Sequence, residues 1–213
     1  MLLNRQVSTR AQNAMNIENG THYVENIFNE IEPHQLPVMG CEFEECKFLG
    51  CNLSELSFIE CRFVDCEFSS CNFNLIKLSR TKFFETHFSE SKITGVNWTL
   101  LDWKSYMLSS PISFENCDLS FSIFSSLDLR EMSIRNCKAH DVDFSESDLS
   151  GSDFYSTDFK ESNFSRSKLF KCSFAESINY DINPLECSIE GAQFSSPEVL
   201  TLLRPFKIKI DYD

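Results

Sequence analysis

The chain has 213 residues and a formal charge of −13 from 32 acids and 19 bases, with 21 Phe and 10 Cys but only 6 Gly and 6 Pro. An apolar fraction of 42% with 13% aromatics offers enough surface for burial to offset ordering entropy, which excludes a disordered chain and suits one domain, two at most. The acidic balance excludes an ordinary nucleic-acid binder, which needs a basic footprint to displace counterions, and no apolar run approaches the roughly 20 residues that span a bilayer.

Residues 1–20 are polar, rich in Asn and Gln, and expected to be loose. Met1 to Arg10 lacks the apolar stretch of a signal sequence, so a soluble cytoplasmic protein is expected. The segment 21–40 carries Val24, Ile27, Phe28, Ile31, Leu36 and Val38 around Pro33 and Pro37. It reads as an irregular first coil, so that 1–40 forms an N-terminal tail and cap.

From residue 41 a period of five takes over. Phe43, Phe48, Phe58, Phe63, Phe68, Phe73, Phe83 and Phe88, with Leu53, Leu78, Ile93, Trp98, Trp103 and Leu108 at the intervening steps, make fourteen consecutive repeats over 41–108. The phase slips by one residue around Pro111, in 109–113, and resumes at Phe114. It then continues through Leu119, Phe124, Leu129, Ile134, Ala139, Phe144, Leu149, Phe154, Phe159, Phe164, Leu169 and Phe174. Asn179 and Pro184 interrupt the second block, 114–194, before Ile189 and Phe194 return on phase.

Five matches neither the 3.6-residue face of an α-helix nor the two-residue alternation of a strand. A chain that turns one corner every five residues brings each fifth side chain inward, and four such segments close a square. Residues twenty apart then stack on successive coils, giving an all-β solenoid. The 154 residues of 41–194 make about 7.7 coils and, at an inter-strand spacing of about 4.8 Å, a rod roughly 37 Å long. No loop insertion between repeats is evident.

The C-terminal segment 195–213 leaves the repeat. Ser195 or Ser196 can cap a helix with Pro197 in its first turn and Glu198 at its positive end. That helix runs through Leu200 and Leu203 and stops near Pro205. Phe206 to Tyr212 then alternates as a strand. Leu200, Leu203, Phe206, Ile208, Ile210 and Tyr212 would offer an apolar face for self-association.

Chemistry finds little footing. All ten Cys occupy the small inward position two residues before a repeat centre, with Cys41/Cys61, Cys46/Cys66 and Cys51/Cys71 twenty apart. No CxxC pair suggests zinc, and free Cys packs as a small hydrophobe, as suits a reducing compartment. His22, His34, His87 and His140 are scattered, and no two Gly lie close enough for a phosphate loop. No catalytic residue, metal or cofactor is expected. Charge is the remaining signal: 41–194 holds 25 acids and 14 bases, about one net charge per 3.4 Å of rod, against about one per 1.7 Å in duplex DNA. In the second block the most negative face contains Asp118, Asp141, Asp158, Glu161 and Asp181.

The repeat resembles the pentapeptide-repeat family, whose consensus is a small residue, Asp or Asn, Leu or Phe, then two free positions. The resemblance covers about 41–194 and implies a right-handed quadrilateral β-helix. Gly95-Val96-Asn97-Trp98, Ser113-Phe114-Glu115 with Cys117, Asn179-Tyr180 with Ile182, and Phe194-Ser195 with Pro197-Glu198 resemble the albicidin-resistance proteins. Asp181-Ile182-Asn183-Pro184 resembles the microcin B17 immunity proteins. Both belong to the topoisomerase-protecting, quinolone-resistance-like branch. That branch implies a non-enzymatic homodimer joined through its C-terminal ends. It would bind DNA gyrase and topoisomerase IV where the DNA gate segment lies, touching neither nucleic acid nor membrane. The five acids named above would then face the topoisomerase. A structural or adaptor module without a topoisomerase role is the alternative, and an enzyme built on the coil is a third.

Overall fold

The computed structural model describes residues 4–7, 12–13, 17–31, 37–103 and 112–209. The chain winds into a four-sided β-solenoid of about eight turns. We number its sides in chain order, the first through Phe43, the second through Phe48, the third through Leu53 and the fourth through Phe58. All pairing between coils is parallel, with Glu42 opposite Arg62 on the first side, Lys47 opposite Glu67 on the second and Ser57 opposite Lys77 on the fourth. The third side is joined by isolated bridges such as Asn52 with Asn72.

The square begins earlier than the sequence suggests. Residues 21–31 and 37–40 stack in register twenty residues below the next coil, with His22 opposite Glu42, Ile27 opposite Lys47 and Val38 opposite Phe58. Tyr23 and Phe28 are buried in the same columns as Phe43 and Phe48. Part of the tail is ordered as well: Asn4–Val7 pairs with Thr21–Val24, and Gln12–Asn13 with Phe28 and Asn29. Leu36, expected in the cap, lies outside the described residues.

The phase slip is an insertion of six residues in one coil. Thr86 lies opposite Ile112 and Asn97 opposite Ile123, so this one coil spends 26 residues where its neighbours spend twenty. In a five-residue repeat, six extra residues look like a slip of one, because the other five complete a step. The insertion falls between the first and second sides, where 104–111, including Leu108, are outside the described residues. A second irregularity sits at 178–188. Asn163 pairs with Asp181 at a separation of 18, although Asp158 with Ile178 and Lys168 with Ser188 keep twenty. One corner is short and the next correspondingly long, so Tyr180 and Ile182, rather than Asn179, fill the interior.

Two side chains per repeat build the core. The large residue stacks on its counterpart one coil away: Phe28, Phe48, Phe68 and Phe88 have successive centroid separations of 4.6, 4.4 and 5.0 Å, within the offset-stacked range. The small residue satisfies backbone. Cys46 Sγ lies 3.5 and 3.4 Å from the Tyr23 and Glu44 carbonyl oxygens, and Ser147 Oγ donates to the Phe124 carbonyl at 2.9 Å. Cys, Ser and Thr are therefore interchangeable at this position, and all ten Cys are buried and free. Burial pushes the Cys172 thiol up to about 12, which fits a packing role.

At many repeats the residue before the large one caps a turn. Asn52, Asn72, Asp118, Asp143, Asp148, Asp153, Asp158 and Asn163 each use Oδ1 to accept from the backbone N–H two residues on, at 3.0–3.3 Å. This local bond holds the following residues in a tight turn. Glu42–Glu44, Arg62–Val64 and Lys77–Ser79 instead stay extended as three-residue strands, although Lys92, Lys138 and Lys168 at the same position make isolated bridges followed by turns. The consensus acids are thus structural as well as solvated. Most corners fall two residues after the large one and adopt φ near +55°, whether filled by Gly or not, as at Glu45 (53°) and Asp65 (51°).

At the C-terminus, Glu198–Phe206 forms a 3-10 helix whose N-terminal neighbour is Pro197, with no side-chain cap. Ser195 Oγ instead accepts from the Glu176 backbone N–H at 2.9 Å, and Glu198 accepts from Asn179 N–H at 2.8 Å. Both therefore fasten the helix to the preceding coil. Pro205 lies inside the helix, and Lys207 ends it in the left-handed region. Phe206 to Lys209 thus does not form the expected strand: Phe206 closes the helix and Lys207 reverses the chain. Tyr180 beneath packs between Phe174 and Phe194, both at 5.5 Å.

The Tyr180 hydroxyl is buried without a hydrogen-bond partner, and burial, with the nearby Glu198 charge, pushes its pKa to about 12. The folded phenol holds its proton above the ordinary value near 10. Its stabilising contribution is therefore complete below pH 10 and is lost as pH rises toward 12. Tyr180→Phe should leave neutral-pH stability unchanged or raised, since no bond is broken, and should blunt the alkaline loss. Urea denaturation of both chains between pH 8 and 12 checks this.

Candidate interaction surfaces

The outward residues fall into columns twenty apart, and many of their charges are neutralised within those columns. Among the described residues, seven ion pairs join adjacent coils in this way, including Lys47–Glu67 at 2.7 Å, Arg80–Glu60 at 2.6 Å, Lys82–Asp102 at 3.2 Å and Lys168–Asp148 at 3.1 Å, with Arg62–Glu42 and Arg166–Glu146 equally placed. Lys138–Asp118, at 3.3 Å, completes the set.

The corner after the first side differs. There Glu25, Glu45, Asp65 and Glu85 occupy one column on four consecutive coils, all exposed and left-handed, and none pairs with a base among the described residues. Their backbone attachment is regular: Glu25 N–H donates to the Glu44 carbonyl, Glu45 to Val64 and Asp65 to Phe84, at 2.9–3.0 Å. The column is therefore a ladder of like charges about 4.8 Å apart. Its sequence signal is acids recurring every twenty residues, two positions after an inward aromatic. Sorting the second block alone by face cannot reveal it.

Four of the five acids expected from sequence, Asp118, Asp141, Asp158 and Glu161, lie on the third side and the corner after it, whereas the short corner carries Asp181 onto the fourth side opposite Asn163, and the five are in different states. Asp118 pairs with Lys138, Asp158 with His140 at 2.8 Å, and Asp181 with Arg204 at 3.8 Å. Partial burial opposes ionisation of Asp118 and Asp158, but hydrogen bonds outweigh it, from Ser120 and Lys138 to the first and from Asn179 and His140 to the second. Both carboxyls consequently sit below the ordinary carboxylate value. Asp141 and Glu161 stack on adjacent corners, with Lys160 3.9 Å from Glu161.

The terminal helix buries Leu202 and rests Val199 on the core. Leu200, Leu203 and Ile208 line an open groove with Thr201 and Arg204. Phe206 and Ile208 are exposed, while Ile210 and Tyr212 lie outside the described residues. Among the described residues, no group of three or more His, Cys, Asp or Glu could hold a metal, and no helix is long and apolar enough to cross a membrane.

The fold has known counterparts. Full-length QnrB1, a plasmid-mediated fluoroquinolone resistance protein, superposes with a TM-score of 0.54 and 14% identity over 88% of this chain and 100% of that one. More distant is HetL, a pentapeptide repeat protein involved in heterocyst differentiation regulation in the cyanobacterium Nostoc sp. strain PCC 7120. Its TM-score is 0.31 and its identity 14%, over 81% of this chain and 84% of that one. At these identities the likeness concerns the fold. No curated sequence matches the chain. The model of the pentapeptide repeat region matches residues 41–110 and 111–194, dividing where the long coil interrupts the square. The chain belongs to the pentapeptide-repeat family.

Proposed function

We propose that the protein is a non-enzymatic DNA mimic that occupies the DNA-binding groove of a type II topoisomerase, DNA gyrase and also topoisomerase IV, and protects it from a poison. The observation that carries this reading is the ladder of Glu25, Glu45, Asp65 and Glu85, unpaired among the described residues, along one corner of the solenoid. Nine levels from Phe28 to Phe194 span about 38 Å at the inter-strand spacing. Acids held in ion pairs present little net field, whereas a free column at regular spacing presents a line of charge to a basic groove. Asp141 and Glu161 extend the acidic surface along another corner. Asp118, Asp158 and Asp181 contribute less, being paired.

We further infer a homodimer in which the groove of Leu200, Leu203 and Ile208 meets its counterpart, lengthening the acidic rod. Leu203→Asp with Ile208→Asp should give a folded monomer by analytical ultracentrifugation; a dimer of unchanged stability places the interface elsewhere. The function is tested by gyrase supercoiling with and without the protein, in the presence of a quinolone, albicidin or microcin B17. Rescue against at least one poison is expected. No effect at micromolar concentration against any of them would leave a structural or adaptor role.

A further inference from the structure

We propose that the first block of coils binds a soft, two-coordinate, monovalent cation of the copper(I) type between stacked cysteines, at three sites: Cys41 with Cys61, Cys46 with Cys66 and Cys51 with Cys71. The six small inward positions on the first three sides of these two coils are all Cys, buried and free. Each stacks on a Cys one coil away, because the residues that follow them are in register: Glu42 opposite Arg62, Lys47 opposite Glu67 and Asn52 opposite Asn72. Neither packing nor hydrogen bonding asks for sulfur there. In the second block Ser147 and Thr157 take the same position, are equally buried and donate to the carbonyl 23 residues earlier at 2.9 Å.

The sulfurs repeat with the coil. Each of the six lies 3.3–3.6 Å from two carbonyl oxygens, one 2 residues back and one 23 residues back. The same contacts mean the same rotamer, so the two sulfurs of a pair are one inter-strand spacing apart, about 4.8 Å. Two metal–sulfur bonds of about 2.3 Å laid end to end span about 4.6 Å, so a linear ion fits between the coils at their existing spacing. A disulfide of about 2.05 Å would need the sulfurs drawn together. Zinc wants four ligands, and among the described residues no third His, Cys, Asp or Glu joins any pair. Thiolate sulfur with no harder donor beside it suits copper(I).

Charge sets the valence. A buried charge is costly unless compensated, and one monovalent cation replacing one thiol proton leaves the pair neutral. The ion then bonds both sulfurs, one as thiolate and one as thiol, and a single proton leaves to solvent. The carbonyl oxygens around each pair favour a cation over an anion. Gly40 and Gly50 precede Cys41 and Cys51, so no side chain covers the corners beside these two sulfurs. The remaining cysteines differ. Cys137 Sγ accepts from the Cys117 backbone N–H at 3.3 Å, Cys172 stacks on Ser152 and Ala192, and Cys187 stacks on Ser167. The sites use neither the acidic ladder nor the C-terminal groove, so they stand or fall apart from the topoisomerase reading.

The test titrates the reduced full chain with copper(I) under nitrogen, in competition with bathocuproine disulfonate. Proton release, sulfur coordination by X-ray absorption and melting temperature are followed together. Three ions per chain, one proton released per ion and two sulfur neighbours per copper are expected. The melting temperature should rise, since a ligand held by the folded state alone stabilises it. The triple variant Cys41→Ser, Cys46→Ser, Cys51→Ser should fold, because serine serves at this position elsewhere, and should lose all three ions. The converse triple, Cys61→Ser, Cys66→Ser, Cys71→Ser, should lose them equally, whereas Cys172→Ser with Cys187→Ser should keep all three. No uptake by the parent chain, unchanged uptake by either triple variant, three sulfurs per copper, or a melting temperature that falls as copper is added would overturn the proposal.

Discussion

Phe63→Ala will lower the stability of the folded chain by about 3–5 kcal/mol, the range for truncating a fully buried Phe. Phe63 sits mid-column on the first side, stacked on Phe43 at 4.7 Å and Phe83 at 4.9 Å and meeting Phe58 and Phe68 edge-on at 5.3 and 5.5 Å. Its removal leaves a void bordered by three coils at once, and the backbone cannot collapse into that void without breaking the parallel register. Phe121→Ser is the internal control, because its side chain is 63% exposed and should change stability by no more than about 0.5 kcal/mol. Urea denaturation of the two variants separates inward from outward phenylalanines, and equal midpoints would refute the register.

The second large effect separates stability from binding. Neutralising the ladder as Glu25→Gln, Glu45→Gln, Asp65→Asn and Glu85→Gln should stabilise the protein by about 1–2 kcal/mol, since like charges about 4.8 Å apart repel by somewhat under 1 kcal/mol per neighbouring pair even in water. Salt screens that repulsion, so the gain should shrink as ionic strength rises. Gyrase affinity should fall by roughly 30- to 100-fold, on the order of 0.5–0.7 kcal/mol for each exposed carboxylate neutralised. A merely decorative ladder would show the first change without the second. Purified variants compared by thermal melting and by surface-immobilised gyrase give both readings.

Much of this architecture is legible before any coordinate, for a physical reason. The five-residue step ties each inward side chain to a corner, so Phe43 to Phe88 and Phe114 to Phe174 name the core directly, and all ten cysteines fall into place with them. Where periodicity is degenerate, sequence fails. A six-residue insertion after Trp103 imitates a slip of one, and a short corner followed by a long one at 178–188 hides Tyr180 as an interior residue. The first coil, 21–40, hides because Val24 and Pro37 break the pattern by eye while Tyr23, Phe28 and Val38 keep it. The C-terminal strand fails because the alternation of Phe206, Ile208 and Ile210 follows a helix end, where Lys207 turns left-handed. The acids of the candidate surface are visible as composition, but their pairing is not, because Asp118 and Lys138 meet only once residues twenty apart are stacked.

Displacement of a labelled DNA duplex from gyrase by the full-length chain, followed from low to high salt, tests the central claim most directly. DNA mimicry predicts that the protein displaces the duplex at low salt, that its affinity falls steeply as salt rises, and that the neutralised ladder competes far less well. Binding that ignores salt, or no displacement at micromolar concentration at any salt, would contradict it.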